Sequence, residues 1–396
     1  MTQDAADTER VSRRKFLVAS GAAGAAGLAG CAGSSDGGNS GGSGDSGGSS
    51  GDSSGGSGDS GSGMDTSMLT AEGSSTVYPI ANKGSSYWNS NPPASDGEYW
   101  GTNEEEGNTV PGWEELASNG AEGTRLADYF ASLYGFEPSG EQATPPFATS
   151  IGLSHSGTGC KSVVDGLVDI GNSSGPITAE LGWSQEEADE RVVDHVLGRD
   201  GQPVVVSSDI YEAGVTELTA EEIRGIYQDE ITNWSEVGGP DQDIYVIGRS
   251  EGSGTDTAFR LNMLGAADAE MSVDTRFGQN QQVAQSVQQN EGAIAYMALA
   301  FTGDGVQPIG VEFEGTLYEP DRDAENTIFD SAYPLNRDLH QYTLIEDGQG
   351  TDMREAAFLN MFLTDFGQQV FVEDNNYIPL PTADIESEFE KLPDQA

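Results

Sequence analysis

The chain has 396 residues, with 66 acidic against 17 basic side chains and a formal net charge of −49. Basic residues this scarce exclude nucleic-acid recognition, which needs concentrated lysine and arginine, and two cysteines exclude a disulfide framework. The acids are spread along the chain and not clustered, which reads as the acidic surface that extreme halophiles use: at molar salt the Debye length is about 3 Å and the self-repulsion is screened.

Residues 12–17 read SRRKFL, and an uncharged run of small and apolar residues follows to Gly30. Twin arginine ahead of a weakly apolar run too short to span a bilayer is the pattern of a twin-arginine export signal over residues 1–30. The run ends in LAGC, residues 28–31, which resembles a lipobox. Cys31 is therefore expected to carry a lipid, which leaves Cys160 as a lone thiol, expected as a small core residue. Residues 31–68 are Gly, Ser and Asp with almost nothing apolar to bury. They read as a disordered tether, on the order of 30 Å in root-mean-square span.

The remainder, from residue 69, is long enough for two lobes. Strands are expected over 67–73, 167–174, 202–208 and 243–250. Helices are expected over 124–136, 157–168, 219–228, 255–264, 280–290 and 352–374. Strands interleaved with helices argue an α/β architecture. Residues 89–123 read as an acidic insertion and 303–337 as a turn-rich stretch with a few short strands.

SGTGCKS, residues 156–162, resembles a phosphate-cradling P-loop, but Cys160 separates Gly159 from Lys161 and His155 stands where the pattern needs glycine. Its other feature repeats: HSGTG (155–159) and EGSGT (251–255) both place Ser-Gly-Thr after a strand and before a helix. EGSSTVYP (72–79) does the same, with Pro79 marking the helix start, and DIGNSSGP (169–176) ends a strand in two serines. The hydroxyls are expected to cap the helices, and the first amides of each helix to face an anion. Four such strand ends with Arg249 nearby form a donor-rich pocket at the carboxyl ends of strands, where open α/β sheets bind ligands. Glu251 is expected to pair with Arg249.

Together these segments, with IYQDEITNW (226–234), RSEGSGTDTAF (249–259) and EGAIAYM (291–297), resemble the phosphate-binding proteins of high-affinity phosphate ABC transporters, of PstS type. The tail is similar more loosely, through REAAFLNMFLTDFGQQ and YIPLP. The resemblance implies a type II periplasmic-binding fold of two α/β lobes joined by a two-strand hinge. Lobe one would take 69–205 and 299–396, and lobe two 206–298. It implies phosphate contacts from Ser75, Thr76, Ser156, Ser174, Arg249, Ser253, Gly254 and Thr255. Inorganic phosphate and ABC permease subunits would be the partners, with a monomer held at the outer face of the membrane by lipid on Cys31. No enzyme activity, cofactor or metal is implied. Many relatives end the DIGNSS segment in an aspartate that accepts the ligand's proton, and others follow it with arginine. Here those positions are Ser174 and Gly175, which leaves Asp169 or Glu251 as candidate acceptors and sulfate as an alternative ligand. The catalytic alternative, a secreted phosphatase, would use His155 as a base beside Ser156. The three histidines show no metal-ligand spacing.

Overall fold

The structure is a computed structural model, and it describes residues 64–93, 125–140, 143–303, 305–346 and 348–396. The export signal, Cys31, the tether up to residue 63 and most of the acidic insertion lie outside the described residues.

Thirteen strands, labelled in chain order, form three sheets among the described residues. The first sheet runs in the order β2 (Thr149–Leu153), β1 (Leu69–Gly73), β3 (Ile170–Ser173), β13 (Asn336–Leu344), β4 (Val192–Gly201). β1 lies parallel to both β2 and β3, with Leu69 opposite Thr149 and Ala71 opposite Ile170, while β13 is antiparallel to both its neighbours. The second sheet runs β10 (Gln307–Pro308), β5 (Val204–Val206), β9 (Ala293–Tyr296), β7 (Tyr245–Arg249), β8 (Thr275–Phe277). β7 is parallel to β8 and β9. A small sheet holds β12 (Thr316–Tyr318), β11 (Gly310–Phe313) and β6 (Glu217–Thr219).

β5 is buried at all three positions, as is β9 at all four, so these strands read as continuous apolar runs instead of alternating ones. The chain first passes from one large sheet to the other through Gln202 and Pro203, between β4 and β5. Gln307–Pro308 and Gly310–Phe313, assigned from sequence to the first lobe, pair with β5 and with β6, so the chain rejoins the first sheet only at Asn336. Pairing across such distances has no local sequence signature.

Helices follow the strands. After β1 comes α1 (Tyr78–Ser90), with Pro79 in its first turn and Asn91 closing it in the left-handed conformation. Its buried Ile80, Gly84, Tyr87 and Trp88 recur at helical spacing. In the first lobe α2 (Leu126–Ser132), α3 (Ser156–Val164), α4 (Ile177–Leu181) and α5 (Gln185–Arg191) follow. The second holds α6 (Ser208–Glu212), α7 (Ala220–Tyr227), α8 (Gly254–Phe259) and α9 (Asn280–Gln289). The long helix expected over 352–374 is broken. α10 (Met353–Leu363) stops at Thr364, which is extended (φ −78°, ψ 159°) and uses its hydroxyl to cap Gly367 N. A competing side-chain cap overrode an otherwise helical pattern. Strands β4, β6, β8, β9 and β13 were missing from the sequence reading, which placed a strand before His155 without giving its range. α11 (Thr382–Phe389) ends the described helices.

Candidate functional site

The parallel strands of both sheets point their carboxyl ends at one cleft, and every predicted loop sits there: Ser74–Thr76 after β1, His155–Ser156 after β2, Ser174 after β3 and Ser250–Thr255 after β7. The expected capping does not occur. α3 is capped by His155 and α8 by Ser253, neither through its side chain, and Ser156 is the first helical residue. The hydroxyls are turned into the cleft instead.

There they form two linked groups. Thr76 Oγ1 and Thr255 Oγ1 are 3.1 Å apart across the cleft, and Asn280 Nδ2 donates to Ser75 Oγ and Thr76 Oγ1, both at 3.1 Å. Ser74 Oγ donates to Ser174 Oγ at 2.9 Å, and Ser174 N donates to Ser156 Oγ at 3.1 Å. Gly254 closes on this second group: a Cβ there would stand 2.8 Å from both Ser174 Oγ and Gly175 N, so the approach of the lobes requires glycine. Gly252 supplies the turn before it with φ +77°. Its carbonyl accepts from Gly157 N at 3.2 Å, a further link between the lobes. Ser253 is buried beside them.

Arg249, 1% exposed, is the central charge. Its guanidinium donates to the carbonyls of Phe277 and Gly278, to Asn280 Oδ1 at 2.6 Å and to Ser75 Oγ at 3.2 Å, all neutral acceptors. The expected pairing with Glu251 is absent, because Glu251 stands exposed on the turn. Burial pulls Arg249 down to about 10, so it stays charged at neutral pH. Tyr296 Oη accepts from its backbone N–H and donates to Asp256, fixing the end of β7.

Sequence reasoning missed several residues that complete the cleft. Arg337, on β13, donates to Asp200 at 2.6 Å, to the carbonyls of Ser174 and Gly254, and to Thr255 Oγ1 at 3.3 Å, so it touches both lobes at once. Asp200, fully buried at the end of β4, also accepts from Leu299 N at 2.9 Å; burial raises its carboxyl despite Arg337. Asn280 follows β8. Only the rarity of basic residues marks Arg337 in sequence, since the strand carrying it, NRDLHQYTL, mixes polar and apolar side chains.

Neither candidate acceptor reaches the cleft. Asp169 lies at the opposite end of β3, bonded to Thr70 N and paired with Arg354, and Glu251 is exposed. A base–hydroxyl pair at His155 and Ser156 does not form either. The Ser156 hydroxyl is engaged by Ser174 N, while the His155 ring lies against Gly278 and is held below its usual range by burial and by Arg249. Cys160 is buried, its thiol pushed up by burial to about 12, and is inert core.

A model of the PBP superfamily domain matches residues 134–363. The chain is 32% identical over 227 residues to the phosphate-binding protein PstS of Bacillus subtilis, covering 57% of this chain and 69% of that one. It is 28% identical over 256 residues to the protein of that name from Staphylococcus saprophyticus, covering 62% and 75%. Among solved structures, a putative phosphate ABC transporter substrate-binding protein with bound phosphate from Clostridium perfringens has a similar fold. Its TM-score is 0.54 at 21% identity, over 79% of this chain and all of that one. A phosphate-binding protein from Stenotrophomonas maltophilia has a TM-score of 0.51 at 14% identity, over 82% and 93%. The chain belongs to the PBP superfamily and, within it, to the family of PstS-type phosphate-binding proteins.

Proposed function

We propose that this chain captures inorganic phosphate between its two lobes and delivers it to an ABC permease for import, without chemical turnover. The carrying observation is Arg249, a buried guanidinium on the second lobe that is bound only to neutral groups and reaches the Ser75 hydroxyl of the first. A buried cation without a counter-charge is stabilised by an anion, and neutral donors from opposite lobes let the cleft close around one. The names of its relatives support phosphate as that anion. Ser75, Thr76, Ser156, Ser174, Ser253, Gly254 and Thr255 would supply the remaining contacts. The lobes divide near residue 205, and strand pairing favours a return between Tyr318 and Asn336.

Phosphate should raise the melting temperature of the purified chain at molar salt, by ligand linkage, and equilibrium dialysis with labelled phosphate should show one saturable site. The absence of any shift at millimolar phosphate would refute the reading. The twin arginines and LAGC support export in the folded state and a lipid on Cys31, with the protein anchored as a monomer at the outer membrane face. Replacing Cys31 by Ala should release it from membranes into the medium.

A further inference from the structure

Three carboxylates approach the hydroxyl loops, and two of them are neutralised. Asp200 is paired with Arg337, and Asp256 with Arg260 and Arg276. The third, Glu180 on α4, makes no ion pair among the described residues, and its Oε1 is buried without a hydrogen-bond partner. The carboxylate is seated at the ligand loops. Oε1 lies 2.9 Å from where a Cβ on Gly175 would stand, and Oε2 3.2 Å from where one on Gly157 would stand. These two glycines directly follow Ser174 and Ser156, and the Gly175 position is also 3.4 Å from Gly254 Cα. Glu180 therefore occupies the corner where the second hydroxyl group meets the opposite lobe, in space that the glycines leave open.

Resting on the phosphate reading above, we infer that Glu180 is the specificity residue of this cleft: its free Oε1 accepts a hydrogen bond from the hydroxyl of a protonated phosphate and so turns away oxyanions without a proton. The other donors in the cleft would treat phosphate and sulfate alike. A buried acceptor does not, because a fully deprotonated oxyanion would set lone pair against lone pair with no water to intervene. The discrimination carries its own pH dependence. Burial raises Glu180 to about 7, against the pull of Thr257 and Arg337 and with a further push from Asp256. Thr257 and Asp256 face it from α8 and Arg337 from β13. Above that midpoint the carboxylate only accepts, and sulfate is refused. Below it the protonated carboxyl can donate, and sulfate is admitted. Glu180→Gln places a permanent donor in the same space.

The test is calorimetric titration of phosphate and of sulfate into wild type and Glu180→Gln at molar salt, about one pH unit either side of the Glu180 midpoint. Wild type should prefer phosphate, with sulfate affinity falling as pH rises. In Glu180→Gln the phosphate-to-sulfate ratio should drop by about 10- to 100-fold, and sulfate affinity should lose its pH dependence. An unchanged ratio overturns the role. So does loss of both anions in a variant that still melts cooperatively, since the carboxylate would then be holding the loops and not reading a proton. Glu180→Asp, which retracts the carboxylate, should give an intermediate ratio and serves if the Gln variant does not fold. A wild type that binds phosphate and sulfate equally overturns the Glu180 inference alone, whereas one that binds neither anion removes the phosphate reading and Glu180's role with it.

Discussion

In the cleft, Arg249 donates to two carbonyls, an amide oxygen and a hydroxyl; at the far end of the first sheet, Arg354 is wedged between Asp169 and Asp352, each 3.0 Å away. Both arginines are buried. Burial pulls Arg249 down with nothing to outweigh it, while at Arg354 the same burial is outweighed by Asp352 and Asp169, which hold it above its ordinary value. At that far end Asp169, Asp352 and Glu355 crowd within 4.8 Å of one another, beside a cavity of 310 Å³, and Arg354 pairs with the two aspartates. A guanidinium that already has its carboxylates is structural. One held only by neutral groups keeps its charge for something that arrives later.

Arg249→Ala tests the contrast most sharply. Phosphate binding should weaken by about 2–5 kcal/mol, read by equilibrium dialysis. The unliganded melting temperature should change little, because the charge removed had no counter-charge. Arg354→Ala should do the reverse. Stability should fall by about 1–3 kcal/mol, less than for a fully enclosed pair since Asp352 is 44% exposed, with phosphate affinity within about twofold of wild type. Equal effects of both substitutions on binding would erase the distinction.

Thr255→Val removes one cleft hydroxyl and keeps the shape. It should weaken phosphate by about 1 kcal/mol and leave melting unchanged. The smallest effect belongs to the far end. Burial, with Asp352 adding to it, holds Glu355 well above its ordinary value. A folded value raised above the unfolded one gives stability that is present below the unfolded value and is lost as pH rises through the folded one. Glu355→Gln should therefore flatten the decline of melting temperature with rising pH while its amide oxygen still accepts from Asp352 N, as Glu355 does at 2.7 Å.

The four cleft loops were legible in sequence because each is local: a strand, then Gly with Ser or Thr, then a helix, all within about ten residues. Their hydroxyls were expected to be spent on capping, and that failed at Ser156 because the helix starts one residue earlier than a cap there requires, and at Ser253 because it holds the cap position without bonding through its side chain. Helices 219–228 and 280–290 were readable from apolar spacing. The 352–374 helix was not, since the break at Thr364 depends on a side-chain bond that competes with the ladder.

The sequence by itself determined the interleaved strands and helices, the donor-rich strand ends and Arg249 as their cation, because each rests on neighbours in the chain. Only the tertiary structure decided what completes the cleft. Arg337 and Asp200 are 137 residues apart and meet through the antiparallel pairing of β13 with β4. Asn280 reaches Ser75 across 205 residues. Glu180, one more acid in a chain of 66 aspartates and glutamates, is set apart solely by an Oε1 buried beside the cleft without a hydrogen-bond partner. Burial and partners are properties of the packed molecule, and in so acidic a chain no local pattern can distinguish the carboxylate that matters from those that face the solvent.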